Sequence, residues 1–220
     1  MDLSQVLRTT FAAREFLDEP VPDETLVRIL DAARFAPSGG NRQGWRVIAV
    51  REQATKDAIA ELGKPAMRRY FAQIQAGEFP WNPIVPTKLS AEQIEKMPVA
   101  PALLDRYRKA PLVLVVCLDL SVVASMDQDL ERVGVISGAS VYPFVWSLLL
   151  AARAEGLGGV LTTFQVAREP ELKILLGIPE GFAVAAIVPM GKPVKQLTKL
   201  KRKPVSEFAF RERFGSEPLA

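Results

Sequence analysis

The 220-residue chain contains no histidine and a single cysteine, Cys117. Without histidine there is no Ser-His-Asp relay, no imidazole metal ligand and no imidazole base. One cysteine excludes an intrachain disulfide, a CxxC pair and a cysteine-held zinc. Chemistry is left to carboxylates, lysines, tyrosines and hydroxyls, or to a bound cofactor. Gly156-Leu157-Gly158-Gly159 has a glycine pair at the right spacing but Leu161 where the third glycine of G-x-G-x-x-G would stand, and it follows a helical stretch rather than a strand, so it is not a dinucleotide-binding turn. Ser137-Gly138-Ala139-Ser140 is not a nucleophile elbow and has no base to serve it. There is no P-loop, and no pair of acids stands out as a glycosidase couple. Elimination favours chemistry carried by a cofactor, with no metal.

A second set of residues suits a ligand rather than a reaction. Between residues 63 and 109 lie Tyr70, Phe71, Phe79, Trp81 and Tyr107, interleaved with Arg68, Arg69 and Lys88. Aromatics of this kind cover a planar substrate, and the cations meet an anionic group on it; alternatively they pack a small core of their own. Tyr70, Trp81 and Lys88 are the substrate candidates. Overall charge is modest: 28 Lys+Arg against 25 Asp+Glu gives +3, with a pI near 9.1. That suits small anions and gives no basis for a nucleic-acid surface.

The elements that must position these residues follow from periodicity. Residues 2–9 read as a short helix. Pro22-Asp23-Glu24 opens another, with acids in its first turn and Leu26, Ile29, Leu30 and Ala33 at helical spacing before Pro37. Ser38 to Asn41 is a loop, and 45–50 a strand. Residues 54–62 read as helical. Several glycines and prolines break 63–109 into two or three short helices, the pattern of an insertion or lid. The apolar run 112–118 is a central strand. Residues 119–153 read as mostly helical, 160–164 as a short strand, 168–176 as a helix closed by Gly177, and 182–190 as a strand. The uncharged stretch 133–152 is long enough to span a bilayer, but Ser137, Ser140, Ser147 and Pro143 dilute it. It is expected to be a buried helix whose Gly134, Gly138 and Ala139 admit a close helix neighbour, with no membrane contact. The N-terminus has no apolar signal core, so the expected location is cytoplasmic. Strands and helices do not alternate as βαβ units, which favours α+β.

Four blocks in order carry a resemblance: Arg14-Glu15-Phe16 with Pro20-Val21-Pro22; Leu30 to Ala33 with Ala36 to Trp45; Leu148 to Ala152 with Gly156-Leu157-Gly158; and Leu175 to Pro179 with Gly191-Lys192-Pro193. The chain resembles the nitroreductase family of FMN-dependent oxidoreductases, and its Leu200-Lys201-Arg202-Lys203-Pro204 is similar to the C-terminal motif of the iodotyrosine deiodinase-like branch. The likeness covers nearly the whole chain outside 63–109. It implies one α+β domain over residues 1–220 with a mixed, mainly antiparallel sheet. It also implies a lid at about 63–109 and an extension at about 192–220 that wraps the partner in an intertwined homodimer, with FMN at the subunit interface.

The resemblance also implies roles. Arg14 and Arg202 match phosphate-binding arginines; charge alone would make Arg14 a surface partner of Asp18 or Glu19 and leave Arg202 in a solvated tail. Pro37, Ser38, Asn41 and Gln43 match positions on the flavin, against the plainer alternative of a self-capped turn. Leu161, Thr162 and Thr163 resemble the segment beside flavin N5, with the Thr163 hydroxyl as an N5 partner. Where the family carries Arg-x-Ser-x-Arg, this chain has Thr10-Phe11-Ala12-Ala13-Arg14, and only the last arginine remains. The implied reaction passes hydride from NADH or NADPH through the flavin to a nitroaromatic, a quinone or another electron-poor aromatic. It needs no protein acid or base. The alternative is a protein that binds flavin without turning over nicotinamide.

Overall fold

A computed structural model describes residues 1–219. Helix α1 (Leu3–Thr9) is capped by the Asp2 carboxylate, which accepts from the Gln5 amide, and α2 (Asp23–Ala33) begins after Pro22 with Asp23 and Glu24 in its first turn. Strand β1 (Trp45–Val50) follows, then α3 (Gln53–Leu62), α4 (Lys64–Gln75), α5 (Ala91–Glu95) and α6 (Pro101–Arg108). Strand β2 (Leu112–Asp119) leads through a long loop to α7 (Tyr142–Ala154). The chain closes with β3 (Gly158–Gly159), α8 (Glu169–Leu176) and β4 (Phe182–Gly191).

The sheet has the order β1-β2-β4-β3, and all its strand pairs are antiparallel. The parallel component is one bridge, Ala12 to Gly159. This is the α+β class expected. Strand β2 explains the layering. Side chains alternate along a strand, and Leu112, Leu114, Val116 and Leu118 enter one core with Leu26 and Ile29 of α2 and Leu148 of α7. Val113, Val115 and Cys117 point the other way, into a second core with Ile59 of α3, Leu104 and Tyr107 of α6 and Leu172 of α8. A strand buried on both faces must be apolar throughout, which is the run seen in the sequence. Cys117 belongs to this packing, and burial pushes its thiol up to about 11. Helix α8 ends at Gly177, whose φ of 65° is the left-handed conformation that glycine adopts without strain.

Two expectations are corrected. Residues 119–153 are not mostly helical: α-helix is confined to Tyr142–Ala154. The Asp127 carboxylate, 4% exposed, accepts from Val135 N at 2.7 Å, Ile136 N at 3.3 Å and Arg132 Nη1 at 2.7 Å. It thereby draws 127–136 into a closed loop that competes with helix. Gly134 lies beside Asp127 in that loop and Gly138 in a 3-10 turn, so neither sits on a helix face. Pro143, in the first turn of α7, fits the start of that helix. Among the described residues no helix is long and apolar enough to cross a membrane. The short strand expected at 160–164 is a single bridge, Thr162 to Ile187, after a two-residue β3.

Candidate active site

A cleft of about 850 Å³ lies between the segment after β3 and the arm carrying α4 to α6. Its floor is residues 160–167. Thr162 donates its amide to Ile187 O at 2.9 Å and accepts from Ile187 N at 2.9 Å, which fastens the floor to β4. The Thr162 hydroxyl donates to Ile187 O at 2.9 Å and accepts from the Tyr107 hydroxyl at 3.0 Å. Tyr107 is fully buried, and that burial raises its phenol pKa, so the proton stays in place. Thr162 therefore has no hydrogen left for a ligand. The Thr163 carbonyl accepts from Val166 N at 3.1 Å and opens the 3-10 turn that follows. The Thr163 hydroxyl has no partner among the described residues and also lines the cleft.

The opposite wall is aromatic. Tyr70 of α4 packs edge-on against Phe71 and Phe164, with centroids 5.3 and 5.4 Å apart. Trp81, on the loop after α4, also faces the cleft. Its backbone is held at φ 51°, a conformation costly for a bulky residue. Gln73, 1% exposed, holds it there by accepting from Trp81 N at 3.0 Å. The Gln73 amide donates to Glu78 at 3.1 Å, and Glu78 accepts from the Thr87 hydroxyl at 2.6 Å and Lys88 N at 2.8 Å. Those hydrogen bonds, the Thr87 hydroxyl foremost, hold the Glu78 carboxyl below the usual range.

Two guanidiniums, Arg14 and Arg106, line the cleft, and among the described residues no carboxylate does. Arg14 forms no ion pair with Asp18 or Glu19; it donates to Ala12 O at 3.1 Å. Arg106, on α6, has a buried Nε with no hydrogen-bond partner. Burial lowers its pKa, and the charge of Arg14 adds to that effect. Sequence reasoning passed over Arg106. Its one visible signal is a cation adjoining the core position Tyr107 on a short helix, and nothing in that pattern marks a ligand contact.

The cleft thus gathers Arg14, Leu161, Thr162, Thr163, Tyr70 and Trp81 from among the predicted residues. Others lie elsewhere. Pro37, Ser38, Asn41 and Gln43 occupy the turn between α2 and β1. There Ser38 Oγ accepts from Gln43 N at 3.0 Å and Gln43 Nε2 donates to Asn41 Oδ1 at 3.2 Å. Asn41 and Gln43 have φ of 53° and 49°, two strained residues in one exposed turn. Arg202 lines a separate groove with Arg8 and Lys199 against α1. Lys88 lines a hollow with Phe79 and Asn82. Thr10, where the family carries arginine, is buried with its hydroxyl on Val6 O at 2.8 Å, so its side chain serves the end of α1. Among the described residues no cluster of three or more side chains is arranged for a metal ion.

A model of the Nitroreductase family matches residues 7–192. The chain is 30% identical over 186 residues to an NADH dehydrogenase of Thermus thermophilus, covering 83% of this chain and 82% of that protein. It is 27% identical over 212 residues to nitrobenzene nitroreductase of Ectopseudomonas oleovorans, 86% of each chain. Among solved structures, an oxidized iodotyrosine deiodinase bound to FMN and 3-iodo-L-tyrosine superposes with a TM-score of 0.67 at 26% identity, covering 93% of this chain and 96% of that one.

Proposed function

The chain belongs to the nitroreductase family, and on that premise we propose that it passes reducing equivalents from NAD(P)H, by way of FMN, to an electron-poor aromatic such as a nitroaromatic or a quinone. The observation that carries this is the composition of the cleft: two guanidiniums, an uncommitted threonine, an aromatic wall and no carboxylate.

The residues present fit FMN. Arg106 Nε is sealed from water without a partner, a state that costs free energy until an acceptor arrives. A flavin offers such acceptors at its pyrimidine carbonyls, its N1 and its phosphate. When bound, FMN would supply the two-electron redox chemistry that links NAD(P)H to the second substrate. Arg14 and Arg106 would hold and orient it and favour negative charge next to them. Thr163, whose hydroxyl is uncommitted, would offer a hydrogen bond to the flavin, while Thr162 and Tyr107 keep the floor rigid. Tyr70, Phe71 and Trp81 exclude water from the acceptor's position. No side chain has to act as acid or base, which accords with a chain without histidine.

The turn bearing Pro37, Ser38, Asn41 and Gln43, together with Arg202, reaches FMN from a second copy of the chain in a homodimer. The strain at Asn41 and Gln43 and the exposed apolar side chains of Val133, Val135 and Trp146 support this reading. The test is spectroscopic. Purified protein should carry, or take up, a flavin spectrum that NADH or NADPH bleaches without air. A colourless protein that FMN does not reconstitute would refute the proposal.

A further inference from the structure

Neighbouring arginines in this protein are treated in opposite ways. Arg68 pairs with Glu95, and Arg108 with Glu61 and Asp57. Arg69 and Arg106, one and two residues away, have no acidic partner among the described residues; a buried Nε without a hydrogen bond is common to Arg68, Arg69 and Arg106, so the missing acid is what sets Arg69 and Arg106 apart. The paired members do not line the cleft. Arg106 lines it, and Arg69 lies over the ring of a residue that lines it: its Cζ is 4.1 Å from the Trp81 ring centroid. Arg14 and Arg106 adjoin the floor and serve FMN. Arg69 belongs to the opposite wall, and FMN does not account for it.

The wall is prebuilt around this pair. Gln73 holds the Trp81 backbone at positive φ, and Trp81 Nε1 donates to Ala66 O at 3.4 Å. Arg69 covers one face of the indole, and Trp81, which lines the cleft, is still 43% exposed. An electron-poor ring stacks well on an electron-rich indole. A guanidinium with spare donors recognises a carboxylate or sulfonate in its own plane. Resting on the oxidoreductase reading above, we propose that the preferred acceptor is a planar aromatic bearing an anionic substituent, its ring against Trp81 and its charge met by Arg69.

The experiment compares two probes of nearly equal shape, 4-nitrobenzoate and 4-nitrobenzamide. Both are titrated into the flavin-loaded protein, with quenching of tryptophan fluorescence as the binding readout, and both are then tried as acceptors with NADH. The benzoate should bind at least about tenfold more tightly and show the higher kcat/KM, mainly through KM. Arg69→Gln should bring the two affinities together by weakening the benzoate alone. Trp81→Leu should weaken both. Arg68→Gln, which removes a paired arginine, should leave the ratio as it was. Equal binding of the two probes by the unaltered protein, or a ratio unmoved by Arg69→Gln, overturns the inference. Failure of the oxidoreductase reading looks different: NADH then fails to bleach the flavin, and the binding ratio still decides whether the wall selects anions.

Discussion

The two walls of the cleft are held by different forces. The floor is fastened through backbone hydrogen bonds of Thr162 to β4 and through the buried Tyr107 hydroxyl, so it shares the stability of the central sheet. The aromatic wall after α4 is held by two polar side chains, Gln73 and Glu78, and around Trp81 by little apolar burial: Phe79, Ile84 and Val85 are 82%, 87% and 58% exposed. A surface tied to a sheet opens only when the sheet does. A loop tied by side chains opens locally at a much lower free energy. Under the proposed function, this difference would let the floor keep FMN in one place and the opposite wall admit and select the acceptor.

Removing one aromatic from each side of the cleft separates the two kinds of anchorage most strongly. Tyr107→Ala should cost about 3–5 kcal/mol, the range for deleting a large buried ring. For a chain of this size that lowers Tm by about 10 °C. Trp81→Ala should change stability by less than about 1 kcal/mol, since the ring is partly in water already. Thermal melts of the two variants decide it. Similar melting points would mean that the wall is as much part of the cooperative core as the floor.

Next in size is a comparison of charges on α6. Arg106→Gln removes a cleft cation with no protein partner, so FMN should dissociate about 10–100-fold more readily, the equivalent of a charged hydrogen bond worth about 1.5–3 kcal/mol. Arg108→Gln breaks a surface pair with Glu61 and Asp57, worth less than about 1 kcal/mol, and should leave FMN affinity within about twofold. Flavin fluorescence titrations give both constants. If the two variants lose FMN equally, Arg106 is not a cofactor contact.

These predictions also mark where the sequence was informative. The run through β2, the spacing of α2 and the stop at Gly177 are local signals, each enforced by neighbours in the chain, and each was legible. The loop 127–136 was not, because its cause is one carboxylate reaching amides eight and nine residues away. No window of periodicity contains that bond. In the site, Arg14 and Leu161 to Thr163 came from resemblance rather than from chemistry visible in the sequence. Arg106 escaped because its significance is relational: it is notable only once it is seen to share with Arg14 a cleft without acids. The bond from Tyr107 to Thr162 spans 55 residues and likewise needs the fold to be seen.

A smaller effect is expected from Gln73→Ala. It removes the acceptor of Trp81 N and a donor to Glu78, leaving a polar group without its partner at a cost of about 1–3 kcal/mol, borne locally. Hydrogen exchange should quicken at residues 78–90 while the amides of β2 and β4 stay protected. KM for the acceptor should rise with kcat little changed. Quickened exchange across β2 would show that this wall and the sheet unfold together.

The smallest effect is one of pH, and its sign follows from Glu78. Its carboxyl is held below the ordinary Glu range by Thr87, Lys88 N and Gln73. A carboxylate whose pKa is depressed on folding stabilises the fold fully above its unfolded pKa, and that contribution fades as pH falls through the folded pKa. The wall should therefore be unchanged from pH 7 down to about 5 and loosen only in more acidic solution. Trp81 reports on this directly, because loosening separates its ring from Arg69. Its emission should shift in acid in the native protein, whereas Glu78→Gln should start from the loosened value and stay flat over the same range. Asp119 and Asp127 also titrate low, held by Ser121 and by Val135 N with Arg132, but both variants retain them, so the difference between the two curves belongs to Glu78. Superimposable curves would mean that Glu78 does not hold Trp81 in place, and the division between a fixed floor and a side-chain-tied wall would then rest on Gln73 alone.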